Sequence, residues 1–518
     1  MGSKLEVLKV DAIVVGAGMA GIYSTHQLSR AGLNVQCIDM AGDVGGTWYW
    51  NTYPGAMSDT ETYLYRYSWD KEDLHTYPWS RHYVYQPEIL AYLRHIVKKH
   101  DLRKYMRFNT EMQAAAWDEK TSTWQVSCAG GLVIQAQYLV NCLGILSKPN
   151  YPDIPGISSF EGAIIHTAKW NHDVELAGKR VGIIGNGSTG VQVMTAIASK
   201  VGKLVSFQRH PQYSVPSGQG PIPDGYREKI NNDYDKIWKD VWDSSTAFGL
   251  LEISRKTMEA TPEERREAFQ QVWDQGNGFR FMFSAFGDLT TNREANEEAC
   301  DFIRGKIDEI IKDPRKAKAL KPTDLCPDNV DIIDLRETPI EEIVPEGIKI
   351  KDGAIHSLDV LIFATGFDAV EGNYLRINIT GRHGKSIQKH WATGPTAYGA
   401  VACSGFPNMF IVSGPQGAFA NFPVVIENEV DFITACILAA EKKDGSVIEV
   451  FAEAEQQWND LCDELAEGSL FKTTASWIFG ANVQGRKSST QFYFGGLNKY
   501  REWTRKEIEA GFPGFSSV

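Results

Sequence analysis

With 518 residues, the chain is too long for one hydrophobic core, and we expect roughly two to four domains. Hydrophobic residues make up 43% and charged residues 23%, a composition that argues against intrinsic disorder. The net charge of -12 at pH 7 offers no electrostatic basis for binding nucleic acid or an anionic membrane surface.

The cysteines and the N-terminus indicate an ordinary reduced protein. None of the eight cysteines forms a Cys-x-x-Cys pair, so neither a zinc ribbon nor a thioredoxin-like redox pair is supported, and no metal is expected. Residues 1–9 carry charges of both signs and do not resemble a signal peptide. No apolar run reaches membrane-spanning length. We expect a cytoplasmic protein, and the acidic surface without heptads favours a monomer.

Two glycine-rich turns stand where a short apolar strand passes into a helix. The first follows residues 10–15 and contains Gly16, Gly18 and Gly21. In such a turn the first glycine permits the tight bend, the second leaves room for a pyrophosphate, and the third lets the helix pack closely. The pattern is repeated after residues 179–184 by Gly185, Gly187, Ser188, Thr189 and Gly190. Both turns predict a dinucleotide-binding unit, the alternative being an ordinary tight turn.

The residue after the next strand differs between the two units. Asp39 follows the first, and a carboxylate there accepts hydrogen bonds from ribose hydroxyls. Arg209 stands at the corresponding place in the second, where a cation suits the 2'-phosphate of NADPH. The alternative for Arg209 is an ion pair at a strand end. FAD in the first unit and NADPH in the second is therefore the economical assignment.

A flavin that takes a hydride from NADPH can pass electrons to a disulfide or to oxygen. Because the chain lacks a Cys-x-x-Cys pair, oxygen is the favoured acceptor.

The chain order indicates an α/β fold with two Rossmann-like dinucleotide-binding domains and a helical insertion. Charged, helix-like sequence fills residues 224–319, where Thr261 and Glu264 form a capping-box pattern. Strand-like runs return at 330–333 and 359–365, and a long apolar helix is predicted over 424–440. We expect an FAD domain over 1–146 plus 385–518, an NADPH domain over 152–215 plus 328–380, and the insertion over 222–325.

Residues 160–171 resemble the fingerprint of Baeyer–Villiger monooxygenases, Phe-x-Gly-x-x-x-His-x-x-x-Trp followed by Pro or Asp. Phe160, Gly162, His166 and Trp170 match, while Asn171 stands at the last position and can turn the chain as Asp does. The resemblance extends over essentially the whole chain. Its further matches are Gly46, Thr47, Trp48, Tyr53 and Asp59, the turn Ala364, Thr365 and Gly366, and a tail tract containing Trp477.

The resemblance implies that NADPH reduces FAD, that oxygen adds to the flavin, and that the resulting peroxyflavin attacks a ketone to give an ester or lactone. It implies that Asp59 orients a catalytic Arg, and that His166 and Trp170 link domain motion to NADP. It places Trp477 against the nicotinamide cofactor or lid. It also places Phe419, Phe422 and Phe492 at the substrate side, where three phenylalanines suit an apolar ketone, core packing being the alternative.

The sequence departs from the family where the catalytic Arg belongs. The family carries it in a turn just before the strand that begins near Asp328, but here Pro327 directly precedes Asp328. Arg336 lies beyond that strand and is not assigned. Either the segment is truly absent, which predicts an NADPH oxidase that releases peroxide with little ester, or the printed sequence omits a mobile loop of the natural protein.

Two other functions stay open from the sequence. A flavin monooxygenase acting on sulfur or nitrogen needs the protonated hydroperoxide, so loss of the Arg favours it. A non-catalytic, flavin-binding redox switch is the other alternative, and an absence of NADPH-driven flavin bleaching is its signature.

Overall fold

The computed structural model describes residues 7–320, 330–443, 447–473, 476–483 and 485–516. Its strands are β1 (Val7–Val15), β2 (Val35–Ile38), β3 (Met106–Arg107), β4 (Met112–Asp118), β5 (Thr123–Cys128), β6 (Val133–Asn141), β7 (Lys148–Pro149), β8 (Ala163–His166), β9 (Arg180–Ile184), β10 (Lys203–Gln208), β11 (Val330–Asp334), β12 (Ile340–Val344), β13 (Gly347–Ile350), β14 (Ile355–Ser357), β15 (Val360–Phe363), β16 (Phe367–Asp368), β17 (Asn378–Thr380), β18 (Met409–Ile411), β19 (Gly417–Ala418), β20 (Glu449–Val450), β21 (Phe492–Tyr493) and β22 (Phe515–Ser516).

The α-helices are α1 (Met19–Arg30), α2 (Thr47–Trp50), α3 (Lys71–Thr76), α4 (Gln86–Lys99), α5 (Ser188–Ile197), α6 (Tyr226–Asp243), α7 (Pro262–Gln275), α8 (Gly278–Ser284), α9 (Arg293–Ile310), α10 (Pro314–Leu320), α11 (Gly372–Arg376), α12 (Ile387–His390), α13 (Phe422–Glu441), α14 (Ala452–Glu467) and α15 (Leu497–Glu509). In the described part of the chain, no helix has the length and apolar character needed to cross a membrane.

Two sheets carry the glycine-rich turns. The first has the order β17-β4-β5-β6-β1-β2-β3, and β18 pairs with the second half of β6. Strands β6, β1, β2 and β3 run parallel, whereas β4, β5 and β6 pair antiparallel. The second sheet is parallel throughout, with the order β11-β10-β9-β15-β8. This confirms the α/β fold with Rossmann-like parallel sheets.

The apolar ends of the strands explain why both sheets are buried in the interior. The last four residues of β1 and of β9 are all buried, as expected for parallel strands covered on both faces. The predicted strand at 330–333 and the long helix at 424–440 are present as β11 and α13. The capping box at Thr261 is also confirmed, because its side chain accepts from the Glu264 amide and the Glu264 carboxylate accepts from the Thr261 amide.

The helices between β10 and β11 divide over two cores. The buried side chains of α7, α8 and α9 form one apolar cluster of their own. In contrast, Ile230, Tyr234, Trp238 and Val241 of α6 pack into the core of the first sheet, beside residues of α1 and α4. The helical segment is therefore anchored on the first unit by α6, and the expected domain boundaries remain a prediction.

Candidate active site between the two glycine turns

The first glycine turn is fixed by close backbone contacts. Gly16 has a φ of +107°, and a Cβ there would lie 2.3 Å from the carbonyl oxygen of Cys142, which follows β6. A Cβ on Gly21 would lie 1.7 Å from the carbonyl oxygen of Gly16, so only glycine lets α1 approach β1 this closely. A Cβ on Gly46 would lie 2.8 Å from Cα of Gly18. The main chain of the Gly16–Gly21 turn thus faces the main chain at Gly46. Together they form a cradle that fits a pyrophosphate.

Asp39 holds this turn in place. Its side chain is buried and accepts hydrogen bonds from the amides of Ala17, at 2.6 Å, and Ala41, at 2.7 Å. Burial raises the pKa of Asp39, and the two amides offset part of that effect. The sequence pattern points to ribose as the partner of Asp39 but does not reveal this bond to the turn itself.

The second glycine turn repeats the arrangement beside the 364–366 turn. Gly185 has a φ of +106°, and a Cβ there would lie 2.3 Å from the carbonyl oxygen of Ala364. A Cβ on Gly190 would lie 2.3 Å from the carbonyl oxygen of Gly185. Gly187, by contrast, has no heavy atom within 4 Å of its Cβ position, and it is exposed together with Ser188. This open face at the start of α5 fits a second pyrophosphate, with Thr189 half-buried next to it.

Arg209 is exposed immediately after β10. Neither a hydrogen bond nor an ion pair to its guanidinium exists within the described ranges, whereas Arg336 is paired with Asp334 on β11. The ion pair considered as an alternative for Arg209 is therefore not found in the part of the chain that the structure describes.

The segment from Gly46 to Asp59 joins the two units. Thr47 begins α2, and Trp48 on that helix is buried and donates from Nε1 to the Tyr65 hydroxyl at 3.2 Å. Tyr53 donates to Oε1 of Gln192 on α5 at 2.9 Å. A Cβ on Gly55 would lie 2.5 Å from the Gln192 carbonyl oxygen. The segment therefore runs from the first glycine turn to the helix of the second, a contact that the sequence does not reveal.

Asp59 lies where this segment meets the helical insertion. Asn277, which caps α8, donates from Nδ2 to the Asp59 carbonyl oxygen and to the Tyr83 hydroxyl, at 2.9 Å each. The Asp59 side chain is exposed to water, and desolvation by the surrounding protein atoms raises the pKa of its carboxyl to about 6. Among the described residues none hydrogen-bonds its carboxylate. The family's Arg turn would fall within 321–329, which lies outside the described residues, and the sequence there contains no Arg.

Phe160 and Gly162 of the fingerprint sit beneath the second sheet. Phe160 is buried, and a Cβ on Gly162 would lie 2.5 Å from the Asp359 carbonyl oxygen. Trp170 is half-buried and packs on the same apolar cluster as Tyr53. Trp170 thus shares its packing with the segment that joins the two units, whereas Phe160 belongs to a separate apolar cluster.

His166 ends β8 and is buried. Its Nδ1 accepts from the Ala168 amide at 3.1 Å, and Nε2 lies 3.5 Å from Oγ1 of Thr365, which donates to the Asn150 carbonyl oxygen at 2.6 Å. Burial lowers the pKa of His166 to about 4, so the ring is neutral at pH 7. Gly366, with a φ of +76°, follows Thr365 in the turn. These contacts place His166 at a junction of chain segments.

The aromatic residues assigned to the substrate side form one cluster with Trp477. The rings of Trp477 and Phe492 are 5.6 Å apart and those of Phe419 and Phe492 are 5.5 Å apart, both edge to face. Phe422 packs on the same cluster. A cavity of about 350 Å³ borders Phe419, Phe471 and Phe494 of this cluster and is also lined by Met282 and other residues of the helical insertion and the tail. Neither Asp59 nor a glycine turn borders this cavity.

A group of possible metal ligands lies elsewhere. His390, Cys403 and Glu455 have their ligand atoms within 4.8 Å of one another. Glu455 already accepts from His390 Nε2 at 2.7 Å, Thr396 Oγ1 at 2.6 Å and the Ser404 amide at 2.7 Å. These hydrogen bonds satisfy the buried carboxylate of Glu455, which holds the surrounding loop in place.

The family described as FMO-like, flavin-binding monooxygenase-like, matches residues 9–213. The chain is 45% identical to cyclohexanone 1,2-monooxygenase of Acinetobacter sp, over 98% of this chain and 97% of the relative. It is 44% identical to a Baeyer–Villiger monooxygenase of Pseudooceanicola batsensis, over 97% and 95% of the two chains. The chain belongs to the Baeyer–Villiger monooxygenase family.

The three-dimensional similarity of this family member extends over the full chain. It matches a crystal structure of cyclohexanone monooxygenase from Rhodococcus sp. Phi1 bound to NADP+ with a TM-score of 0.96 and 47% identity, over 99% of both chains. A phenazine N-monooxygenase of Lysobacter antibioticus is 44% identical, over 98% of this chain and 96% of that one. The family therefore includes a close relative named for oxygen transfer to nitrogen.

Proposed function

We propose that this chain is an FAD- and NADPH-dependent Baeyer–Villiger monooxygenase that inserts one atom of O2 beside a ketone carbonyl, giving an ester or lactone. Cyclic and other apolar ketones are the proposed substrates. The observation that carries the proposal is the pair of nucleotide cradles joined by the 46–59 segment in a member of this family.

The residues around each cradle fit the proposed cofactor. Bound FAD supplies the hydride acceptor and the site of oxygen activation, and NADPH supplies the hydride. Asp39 directly follows the strand beside the first cradle, and Arg209 offers a cation without a partner among the described residues beside the second. For FAD we propose Gly16, Gly18, Gly21, Asp39, Gly46, Thr47, Trp48, Tyr53 and Asp59; for NADPH, Gly185, Gly187, Ser188, Thr189, Gly190, Arg209, Ala364, Thr365, Gly366 and Trp477.

Three further groups of side chains have proposed roles. The cluster of Phe419, Phe422, Phe492 and Trp477 excludes water and receives an apolar ketone. With a pKa of about 6, the Asp59 carboxyl is mostly ionised at pH 7, and its negative charge suits a cationic partner. His166 is neutral and fully engaged in contacts with neighbouring segments, which supports a positioning role over proton transfer.

The compartment and oligomeric state proposed for the enzyme follow from its acidic surface and its free thiols. We expect it to work on small molecules as a cytoplasmic monomer, without a nucleic acid or membrane partner. The seven cysteines in the described ranges are buried and free, as expected in a reducing compartment. Light scattering after size-exclusion chromatography tests the monomer.

The test of function mixes FAD-loaded protein with NADPH and O2, with and without cyclohexanone, and measures NADPH, peroxide and products by gas chromatography. Ketone-stimulated NADPH use with lactone and little peroxide supports the proposal. Peroxide without ester from any ketone supports an oxidase that lacks the Arg turn. A thioether and phenazine are run in parallel, and oxidation of these alone contradicts the proposal in favour of sulfur or nitrogen oxygenation.

A further inference from the structure

Two crossovers connect the two sheets, and they pair with each other. The chain leaves the first sheet after β6 and enters the second at β8, and it returns between β15 and β17. Within these crossovers β7 and β16 form an antiparallel pair, with Asp368 opposite Lys148. We call this pair, together with residues 369–371, the linker ribbon. Because the ribbon is shared by both crossovers, its position depends on how the two nucleotide units are arranged.

The tail loop, residues 476–483 with Gly485 and Arg486, is fastened to this ribbon. Arg486 Nη1 lies 2.5 Å from Oδ1 of Asp368, and Arg486 Nε lies 2.8 Å from Oε1 of Glu371. Asn482 adds a hydrogen bond from Nδ2 to the Phe367 carbonyl oxygen at 2.8 Å. The same loop carries Trp477 at its other end.

The ion pairs are sheltered from water. The side chains of Arg486, Asp368 and Glu371 are 16%, 7% and 6% exposed. Lys148 of the first crossover neutralises the second oxygen of Asp368 at 2.8 Å. Sheltered pairs of this kind are screened little by salt, and loss of one partner leaves a buried charge uncompensated.

We propose that Arg486 is a positioning residue that makes the tail loop, and Trp477 with it, follow the linker ribbon and so the arrangement of the two nucleotide units. Both carboxylates that bind Arg486 come from the return crossover, whereas Trp477 contacts Phe492 of the aromatic cluster. The loop thereby spans from the ribbon to the proposed substrate side. The effect of Arg486 on catalysis rests on the proposed function, whereas the link between the tail loop and the linker ribbon does not.

The first test measures hydrogen–deuterium exchange of residues 476–483 in Arg486→Gln, with and without NADP+. Removing a charge-assisted contact is expected to speed exchange roughly tenfold. Arg486→Lys, which keeps the charge, restores part of the protection. The matched control is Lys487→Gln, because Lys487 is the next residue, is exposed and has no partner among the described residues.

The second test compares anaerobic flavin reduction by NADPH with the fraction of NADPH that ends as peroxide during ketone turnover. Arg486→Gln is expected to leave the reduction rate within about twofold and to raise the peroxide fraction, because the loop no longer holds Trp477 against Phe492 in the cluster proposed to exclude water. Misfolding would instead slow flavin reduction as well. If Arg486→Gln does not fold, Glu371→Gln removes one of the two pairs and takes its place.

Exchange and peroxide fraction equal to those of Lys487→Gln overturn the inference. If the parent enzyme forms no ester, the proposed function fails, while faster exchange in Arg486→Gln still supports the mechanical link.

Discussion

Replacing Arg209 with alanine is expected to weaken the use of NADPH without weakening the use of NADH. The guanidinium is exposed just after β10 and has no partner among the described residues, so its removal breaks no described contact. The change in folding free energy should stay within about 0.5 kcal/mol, as for other surface substitutions.

The loss in cofactor use follows from the chemistry of the 2'-phosphate. A charge-assisted hydrogen bond contributes about 1.5–3 kcal/mol. Since about 1.4 kcal/mol corresponds to a factor of ten, kcat/KM for NADPH should fall about 10- to 150-fold. NADH lacks the phosphate, so its kcat/KM should change little.

The assay is steady-state oxidation of each cofactor at saturating cyclohexanone. Lys203→Ala is the matched control, because Lys203 begins the same strand at its opposite end and pairs with Asp331 at 3.0 Å. An equal loss for NADPH and NADH in Arg209→Ala, or no loss for NADPH, would refute the reasoning.

Three further predictions concern pH and backbone. Burial raises the pKa of Glu429 from 4.5 to about 8, so between these pH values the folded protein holds a proton that the unfolded chain has lost. The free energy of unfolding therefore falls as the pH rises from 4.5 to 8, by at most about 5 kcal/mol. The melting temperature should therefore fall more steeply over that range than in Glu429→Gln, and a constant difference between the two would contradict this. Gly187→Ala should keep the melting temperature but weaken NADP+ binding in calorimetry. Gly185→Ala should unfold, because its Cβ would lie 2.3 Å from the Ala364 carbonyl oxygen. Normal NADP+ binding by Gly187→Ala would argue against the second cradle. Because the pKa of Asp59 is about 6, ester yield per NADPH should drop below pH 6 and stay low at every pH in Asp59→Asn; the same pH profile in both proteins would exclude a role for its charge.

Two hydrogen bonds oppose the effect of burial on the pKa of Glu429, and burial outweighs them. The Tyr500 hydroxyl can donate its single proton to the Gly399 carbonyl oxygen at 2.7 Å or to Oε1 of Glu429 at 3.2 Å. The Ser413 amide donates to the other oxygen at 2.6 Å.

The sequence by itself determined the two nucleotide units and the family. Each glycine turn, with the strand before it and the helix after it, is a local pattern whose spacing follows from backbone geometry. The fingerprint at 160–170 is local in the same way. Such features are readable because every residue that defines them lies within a short stretch of chain.

The tertiary structure alone decided how these pieces form a site. The contact of Tyr53 with Gln192, the capping residue Asn277 under Asp59, and the pairing of Arg486 with Asp368 each join residues more than a hundred positions apart. The packing of α6 on the first core is of the same kind. No periodicity connects such residues in the sequence, because their contact depends on how sheets and crossovers are stacked, and packing of that kind leaves no local pattern.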